Sequence, residues 1–268
     1  MADAADSPYL LDNRQEEAGD RFDALAALYD PMTIGHFDTI GVGAGWRCLE
    51  VGAGGGSVVR HLSERVGAGG RVLATDIEPL YLEPLAELGN VEVARHNAVV
   101  DPLPEAEFDL VHARLVLIHI PERLEVLHRL VHTLRPGGWL LIEDGDGTLS
   151  MHSSLDPQTD DEHLGNRIRE GTLRLMEGRG VDFAFGRQLP RLLRDEGLIH
   201  VAADGFVPIS EGVRLLERAN ILQLQEMLLE RDVITKEELE HFLGRLDDPG
   251  FLLAGPQVIS AWGRRPGG

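Results

Sequence analysis

Between residues 46 and 144 the sequence alternates short apolar segments, typical of strands, with longer amphipathic segments, typical of helices. The predicted strands lie at 47–51, 72–76, 91–96, 108–113 and 139–144. The predicted helices between them lie at 58–66, 80–88 and 122–134. Since strands that alternate with helices form right-handed crossovers, the pattern predicts an α/β fold with a mostly parallel sheet and helices on both faces.

A glycine-rich turn follows the first predicted strand, where Gly52, Gly54, Gly55 and Gly56 fall within five residues. Ligands of open α/β sheets bind beyond the carboxyl ends of the strands, so this turn predicts a nucleotide-like ligand against backbone amides. Dinucleotide sites use G-x-G-x-x-G. Here Ser57 takes the place of the third glycine, and the preceding Glu50 suits a cationic amine better than a diphosphate.

These residues, with later motifs in the same order, make the chain resemble the class I S-adenosylmethionine-dependent methyltransferases. The segment from Glu50 to Gly56 is similar to their first motif, and Asp76 ends the second strand as their ribose-binding acid does. FDLVHARLVLIHI and LRPGGWLLIED are similar to their fourth-strand and fifth-strand motifs. The resemblance implies a Rossmann-like seven-stranded methyltransferase sheet, S-adenosylmethionine as cofactor and S-adenosylhomocysteine as product.

The resemblance also implies which residues hold the cofactor. Asp76 would accept hydrogen bonds from both ribose hydroxyls, and Ile77 would pack on adenine. Asn97 stands where the family usually has Asp, and its side-chain oxygen can still accept from the adenine amino group. The full predicted set is Glu50, Gly52, Ala53, Gly54, Asp76, Ile77, Asn97, Ala98, Ala113 and Arg114.

The parts of the chain outside this core are predicted to surround the acceptor. Residues 1–45 form an N-terminal helical lid, in which Ala18, Phe22, Leu25 and Tyr29 share one apolar helix face. Residues 46–210 form the cofactor-binding core, with an acceptor-side insertion near 145–186. Residues 211–250 form a helical insert, and 251–268 contain the final strand and tail. Within this lid, residues 12–37 are expected to close over the pocket when cofactor and acceptor bind.

Composition limits the partners. The formal net charge of −20 disfavours nucleic acid and anionic membrane surfaces. The acidic start, MADAADSPYLLDN, predicts no signal peptide, and no apolar run predicts a membrane span, so a cytoplasmic location is expected. We expect a monomer or homodimer that acts on a small, aromatic or heteroaromatic molecule. YLLDNRQEEAGDRF and AWGRR are similar to segments of methyltransferases from actinobacterial secondary metabolism.

Three residues are candidates for proton transfer during methylation at oxygen, nitrogen or carbon. His119 lies just past the fourth strand, near the point at which this fold delivers the methyl group. His36 and Tyr29 lie in the predicted lid. The alternative for His119 is a structural role at the start of the following helix, and for Tyr29 it is packing within the apolar helix face. His112, within the fourth strand, is expected to be structural or to face the cofactor.

Two further alternatives concern metal and reaction class. Glu143, Asp144 and Asp146 form an acidic cluster after the fifth strand, but Ala113 and Arg114 stand where a metal-binding acid would follow the fourth, so no metal is predicted. A nicotinamide-dependent oxidoreductase shares the fold class and the spacing of Asp76. A methyltransferase-like scaffold without turnover is the other alternative, because a fold does not by itself define a function.

Overall fold

The computed structural model describes residues 11, 13, 17–147 and 151–267. The predicted absence of a signal peptide concerns the first residues, most of which lie outside these ranges, as does part of the predicted lid. The chain divides into two compact units. One contains the described residues up to Leu28 together with 146–184 and 207–257, and the other contains 29–145, 185–206 and 258–267.

The second unit is built on the predicted seven-stranded sheet, which the structure confirms. Its strand order is β3-β2-β1-β4-β5-β7-β6, and β7 is antiparallel to both neighbours. The other pairs are parallel. The strands are β1 Arg47–Val51, β2 Arg71–Asp76, β3 Val91–Arg95, β4 Phe108–Arg114, β5 Leu134–Gly145, β6 Ile199–Phe206 and β7 Val258–Arg264.

Helices cover this sheet on both faces. Helix α2 (Ser57–Val66) packs on β1 and β2, and α3 (Arg123–Thr133) packs on β4 and β5. Since the strand order runs in opposite directions from β1 to β2 and from β4 to β5, right-handed crossovers place α2 and α3 on opposite faces. Helix α5 (Phe185–Asp195) contacts β5, β6 and β7.

Two local predictions in this unit are wrong. The helix predicted over 80–88 is instead a pair of 3₁₀ turns, Pro79–Tyr81 and Glu83–Glu87, because Pro84 lacks the N–H that an α-helix needs there and its ring would clash. The fifth strand begins at Leu134 rather than Trp139, and its pairing with β4 is interrupted by a bulge next to Gly137, whose φ is +82°. Pro136 and Gly137 thus interrupt the pairing of β5 with β4, but they do not prevent the strand from forming.

Helix α1 (Ala18–Ile40) continues eleven residues beyond Tyr29, the last residue of the predicted apolar face, and contains Pro31. Ala18 and Tyr29 are buried as predicted, but Phe22 and Leu25 are only half-buried. Its C-terminal half, from Tyr29 onward, buries polar as well as apolar side chains. An apolar periodicity therefore underestimates this helix, because part of its buried face is polar.

The first unit is helical. Its helices are α4 (Asp160–Glu177), α6 (Glu211–Glu230) and α7 (Lys236–Arg245), which contact one another. Capping boxes define two N-termini: Thr159 with Glu162, and Thr235 with Glu238. No helix within the described ranges is long and apolar enough to cross a membrane.

Candidate active site

Two of the four glycines in the turn between β1 and α2 are required by the protein's own packing. Gly52 has a φ of +66°, and a Cβ there would lie 2.4 Å from Val116. Gly56 has a φ of +78°, and a Cβ there would lie 2.4 Å from Leu85. A side chain at either position is therefore excluded both by backbone conformation and by contact. These two glycines let the turn pack closely against the segments that follow β2 and β4.

Asp76, at the end of β2, is bonded directly to this turn. The Gly54 N–H donates to Asp76 Oδ2 at 2.9 Å, and the Glu78 N–H donates to Asp76 Oδ1 at 2.9 Å. Burial raises the pKa of Asp76, and these amide hydrogen bonds offset part of that effect. Each carboxylate oxygen has a second lone pair, so the group can still accept two hydroxyl hydrogen bonds. The structure thus joins two of the predicted cofactor residues.

The predicted cofactor residues near Asp76 differ in their exposure to solvent. Ile77 is 50% exposed, which leaves an apolar surface beside Asp76. Asn97 is exposed, and its Oδ1 accepts from the Val99 N–H at 2.9 Å, so one of its two lone pairs is used within the chain. Ala98 is buried, and its carbonyl accepts from Arg129 at 2.7 Å. Ala53 donates its N–H to the Thr75 carbonyl.

A nucleoside-containing cofactor fits these groups. The site combines a turn without side chains at Gly52 and Gly56, a carboxylate at Asp76 and an exposed apolar side chain at Ile77. Such a set offers backbone contact, paired acceptance from hydroxyls and an apolar surface for a base. The donors and acceptors present therefore match the cofactor that the sequence implies.

Five ionisable side chains form a hydrogen-bonded row, here called the polar ladder: Glu50, His112, Glu143, His36 and Asp204. The first four are buried, and Asp204 is exposed at the end of the row. His112 Nδ1 lies 2.6 Å from Glu50 Oε2, and His112 Nε2 lies 3.2 Å from Glu143 Oε2. His36 Nδ1 lies 2.8 Å from Glu143 Oε1, and His36 Nε2 lies 3.1 Å from Asp204. Acids and histidines therefore alternate along the row, and each histidine bridges two carboxylates.

The charges in the ladder follow from this alternation. Burial by itself would lower the pKa of His112, but Glu50 and Glu143 outweigh it and raise the pKa to about 9. Burial would also lower the pKa of His36, but Glu143 and Asp204 raise it. Burial would raise the pKa of Glu143, but hydrogen bonds from His112 and His36 hold it well below its usual range. Both imidazoles are therefore stabilised in the protonated form.

Residues of α1 and β4 extend the ladder. Thr33 donates to Glu143, and Arg114 donates to Thr33 at 2.9 Å and to Asp30 at 2.7 Å. Ser260 also donates to Glu143, at 2.9 Å. Each of these hydrogen bonds fixes the orientation of a polar side chain on the buried face of α1 or on a neighbouring strand. The guanidinium of Arg114, predicted as a cofactor contact, is thus bonded to α1.

The ladder changes the interpretation of three predicted site residues. Glu50 is buried and paired with His112, so its carboxylate is not an open partner for a cationic amine. His36 has both ring nitrogens at carboxylates and a raised pKa, which disfavours it as a proton acceptor. Tyr29 is fully buried, with its ring edge-on to Phe206 at 6.2 Å, which favours the packing alternative. Ala113 is fully buried within β4.

His119 occupies a different environment. It ends the 3₁₀ turn Leu117–His119 just beyond β4 and is half-buried. Asp144 holds this turn, because its Oδ2 accepts from the Leu117 N–H at 3.1 Å and from the Ile118 N–H at 3.3 Å. Burial raises the pKa of Asp144 to about 8, although these amides offset part of the effect. Asp144, near the end of β5, thus fixes the backbone of the turn that carries His119.

The three acids at the end of β5, of which Glu143 and Asp144 lie within the strand, do not converge. Glu143 belongs to the polar ladder, Asp144 holds the turn before His119, and the backbone N–H of the buried Asp146 donates to the Gln257 carbonyl. Within the part of the chain that the structure describes, no group of three or more His, Cys, Asp or Glu side chains is arranged to hold a metal ion.

Comparisons with known proteins place similar chains among the methyltransferases. The family described as "Methyltransferase domain" matches residues 49–142. Methyltransferase str3 of Strobilurus tenacellus is 30% identical over 200 residues, which cover 73% of this chain and 68% of that protein. Nocamycin O-methyltransferase of Saccharothrix syringae is 34% identical over 131 residues, which cover 44% of this chain and 47% of that protein.

Among solved structures, Haemonchus contortus phosphoethanolamine N-methyltransferase 2, in complex with phosphomonomethylethanolamine and S-adenosylhomocysteine, has a TM-score of 0.60. It is 18% identical, and the match covers 98% of this chain and 61% of that one. This likeness concerns the fold. The chain thus spans about two thirds or less of the length of the three proteins named here.

Proposed function

Because the chain belongs to the class I S-adenosylmethionine-dependent methyltransferases, we propose that it transfers a methyl group to a small aromatic or heteroaromatic molecule of secondary metabolism. The similarity to nocamycin O-methyltransferase supports methyl transfer to an oxygen atom of a small molecule. The net charge of −20 also favours a small acceptor over a polyanion.

The observation that carries the cofactor proposal is the hydrogen bond between the Gly54 amide and the Asp76 carboxylate. It holds the glycine turn and the acid of β2 in one fixed arrangement, so that a ligand can meet both at once. Asp76 would accept from the ribose hydroxyls, Ile77 would cover the adenine ring, and Asn97 would accept from the adenine amino group. S-adenosylmethionine supplies a methyl group on a positively charged sulfur, which is already activated for displacement.

We assign Glu50 and Arg114 an indirect role. Both side chains are used within the polar ladder and its extension to α1. They would then contribute to cofactor binding indirectly, by holding in place the backbone at the ends of β1 and β4. Gly52, Ala53, Ala98 and Ala113 would contribute backbone atoms and close packing in the same way.

When the acceptor is a hydroxyl, His119 is the residue we propose as general base. The acceptor O–H would give its proton to an imidazole nitrogen of His119 as the new bond to carbon forms. Asp144 is then a positioning residue, because it fixes the turn that carries His119. His36 and Tyr29 would support the packing of α1.

The proposed reaction is tested by measuring S-adenosylhomocysteine release with a panel of phenols, indoles and amines. We expect release with at least one phenolic or indolic compound. His119→Ala should then lower turnover about 100- to 10,000-fold with cofactor affinity unchanged. His163→Ala, an exposed histidine on α4, is the matched control. Full turnover in the His119→Ala protein would mean that the acceptor is a nucleophile that needs no protein base.

The same assay separates the two alternative functions. Membership of the methyltransferase family supports methyl transfer over hydride transfer, and binding of NAD without binding of S-adenosylmethionine would reverse that preference. A scaffold without turnover would bind the cofactor but release no S-adenosylhomocysteine with any acceptor.

Closure of residues 12–37 on ligand binding remains a prediction, which slower hydrogen exchange in the presence of cofactor and acceptor would confirm.

A further inference from the structure

Two histidines lie one helical turn apart on α3, outside the candidate active site. His128 and His132 are both exposed, and their spacing of four residues places them on one helix face. Their ring centroids are 4.3 Å apart, with an angle of 50° between the ring planes. The two imidazoles are thus neighbours at the surface, accessible to solutes.

Both rings use the same nitrogen to bond to the protein. His132 Nδ1 lies 2.9 Å from the His128 carbonyl oxygen, which can only accept, so this nitrogen carries the proton. His128 Nδ1 lies 2.8 Å from Glu196 Oε2, another acceptor. In the neutral rings the lone pair is therefore on Nε2 in both cases. Within the described ranges, neither Nε2 has a hydrogen bond or ion pair of its own.

This arrangement has the features of metal-binding histidines. Such a residue binds through one nitrogen while its other N–H donates to a carboxylate or a backbone carbonyl, which fixes the tautomer. Two histidines at positions i and i+4 of one helix are a known pair of zinc ligands. Arg129 follows His128 here, at the position where the zinc protease motif carries its catalytic Glu, so no hydrolytic chemistry is implied.

The surrounding charges favour a cation at this place. His132 is in the last turn of α3, where the helix dipole attracts positive charge. Glu196 adds a carboxylate behind His128. Two cations lie nearby, and both guanidinium groups donate to backbone carbonyls: Arg129 to those of residues 98, 99 and 101, and Arg265 to those of His132 and Leu134.

We propose that His128 Nε2 and His132 Nε2 form a surface site for a divalent transition-metal ion of borderline softness, namely Zn²⁺, Ni²⁺ or Cu²⁺. Water molecules complete the coordination, because the protein supplies two ligands. By the general order of stabilities, Cu²⁺ binds more tightly than Ni²⁺ or Zn²⁺. The site is independent of the proposed methyl transfer.

The site is tested by calorimetric titration of Cu²⁺ and of Zn²⁺ into the chelator-treated full-length protein. His128→Ala and His132→Ala should each weaken the tightest site at least about tenfold, because one of its two protein ligands is lost. Glu196→Gln removes the carboxylate behind His128 and should weaken it by about 10- to 100-fold. His163→Ala, on another helix, should leave the affinity unchanged. Circular dichroism checks that each variant is folded.

Equal affinity in the wild type and in both histidine variants would overturn the proposed site, because the metal would then bind elsewhere. An unchanged affinity in Glu196→Gln would overturn the role of the carboxylate in setting the tautomer of His128. Loss of binding in His163→Ala would also contradict the proposal, since that histidine lies outside it.

Discussion

The two faces of the seven-stranded sheet are built on different principles. On the face toward α1 and α2, the strands carry apolar residues such as Cys48, Leu110 and Leu141. The same face then carries ionisable residues toward the strand ends, where the polar ladder lies. On the opposite face the inner strands bury mainly aliphatic side chains, such as Leu49, Val111, Leu140 and Ile142, and the acids Asp109 and Asp144 lie near the strand ends. Because strand residues alternate between faces, one strand contributes to both.

The two faces therefore have different roles: the aliphatic face stabilises the fold, and the polar ladder orients α1 on the sheet. The aliphatic face stabilises the fold through the area that it buries, and this effect has no preferred direction. Buried ion pairs add little net stability, because desolvation offsets their attraction, but breaking one leaves a charge without a partner. We infer that the ladder serves mainly to fix where α1 lies on the sheet. The adjacent residues Ile142 and Glu143 face opposite sides, so they allow a direct comparison.

The largest effect is expected from Glu143→Gln. This change leaves two protonated imidazoles, at His112 and His36, without the carboxylate between them. Removing one partner of a buried ion pair lowers the free energy of unfolding by about 3–5 kcal/mol. Urea unfolding followed by circular dichroism measures this. A loss of less than about 1 kcal/mol would show that the ladder does not hold buried charges.

The pH dependence of stability is expected to be smaller. The raised pKa of His112, about 9, gives a stabilisation that is complete below pH 6.5 and is lost as the pH rises through 9. The raised pKa of Asp144, about 8, acts in the same direction, since its neutral form is favoured in the folded state. The lowered pKa of Glu143 affects the free energy of unfolding only at acidic pH.

Between pH 6.5 and 9.5, loss of the His112 proton should lower the free energy of unfolding by up to about 3.5 kcal/mol, since its pKa of about 9 lies roughly 2.5 above 6.5 and one pKa unit corresponds to about 1.4 kcal/mol. Asp144 adds to the fall up to about pH 8. Urea titrations across this interval measure the fall, and His112→Asn should make it shallower. A stability that stays constant or rises with pH would contradict the protonated state of His112.

The smallest effect is expected from Ile142→Val, on the aliphatic face. Removing one buried methylene lowers the free energy of unfolding by about 0.5–1.5 kcal/mol. The same urea experiment, run beside Glu143→Gln, gives the comparison. If the two neighbouring variants lost equal stability, the distinction between the two faces would be wrong.

The α/β fold was predictable because its signals are local. Apolar strands, helix stops and the glycine turn lie in contiguous stretches, and the sheet is confirmed. The helix predicted over 80–88 failed because a single proline overrides the periodicity around it. Helix α4 was not predicted, although Thr159 and Glu162 form a capping box that the sequence displays.

The polar ladder was not predicted because its members are brought together by pairing between distant strands. Glu50, His112 and Glu143 are separated by 62 and 31 residues, and only the sheet register aligns them. One signal was present: each ionisable residue lies two positions after an apolar residue on the same face of its strand, namely Cys48, Leu110 and Leu141. Such a residue needs a buried partner of opposite charge, so three of them together predict a paired network.

The central claim is that S-adenosylmethionine binds at the turn that Gly54 and Asp76 fix together. The most direct measurement is calorimetric titration of S-adenosylmethionine into the wild type and Asp76→Ala, with Glu92→Ala on the exposed side of β3 as control. We predict a weakening of about 2–4 kcal/mol in Asp76→Ala, because two charge-assisted hydrogen bonds are lost. The control should bind as the wild type does. Unchanged affinity in a folded Asp76→Ala protein would contradict the account.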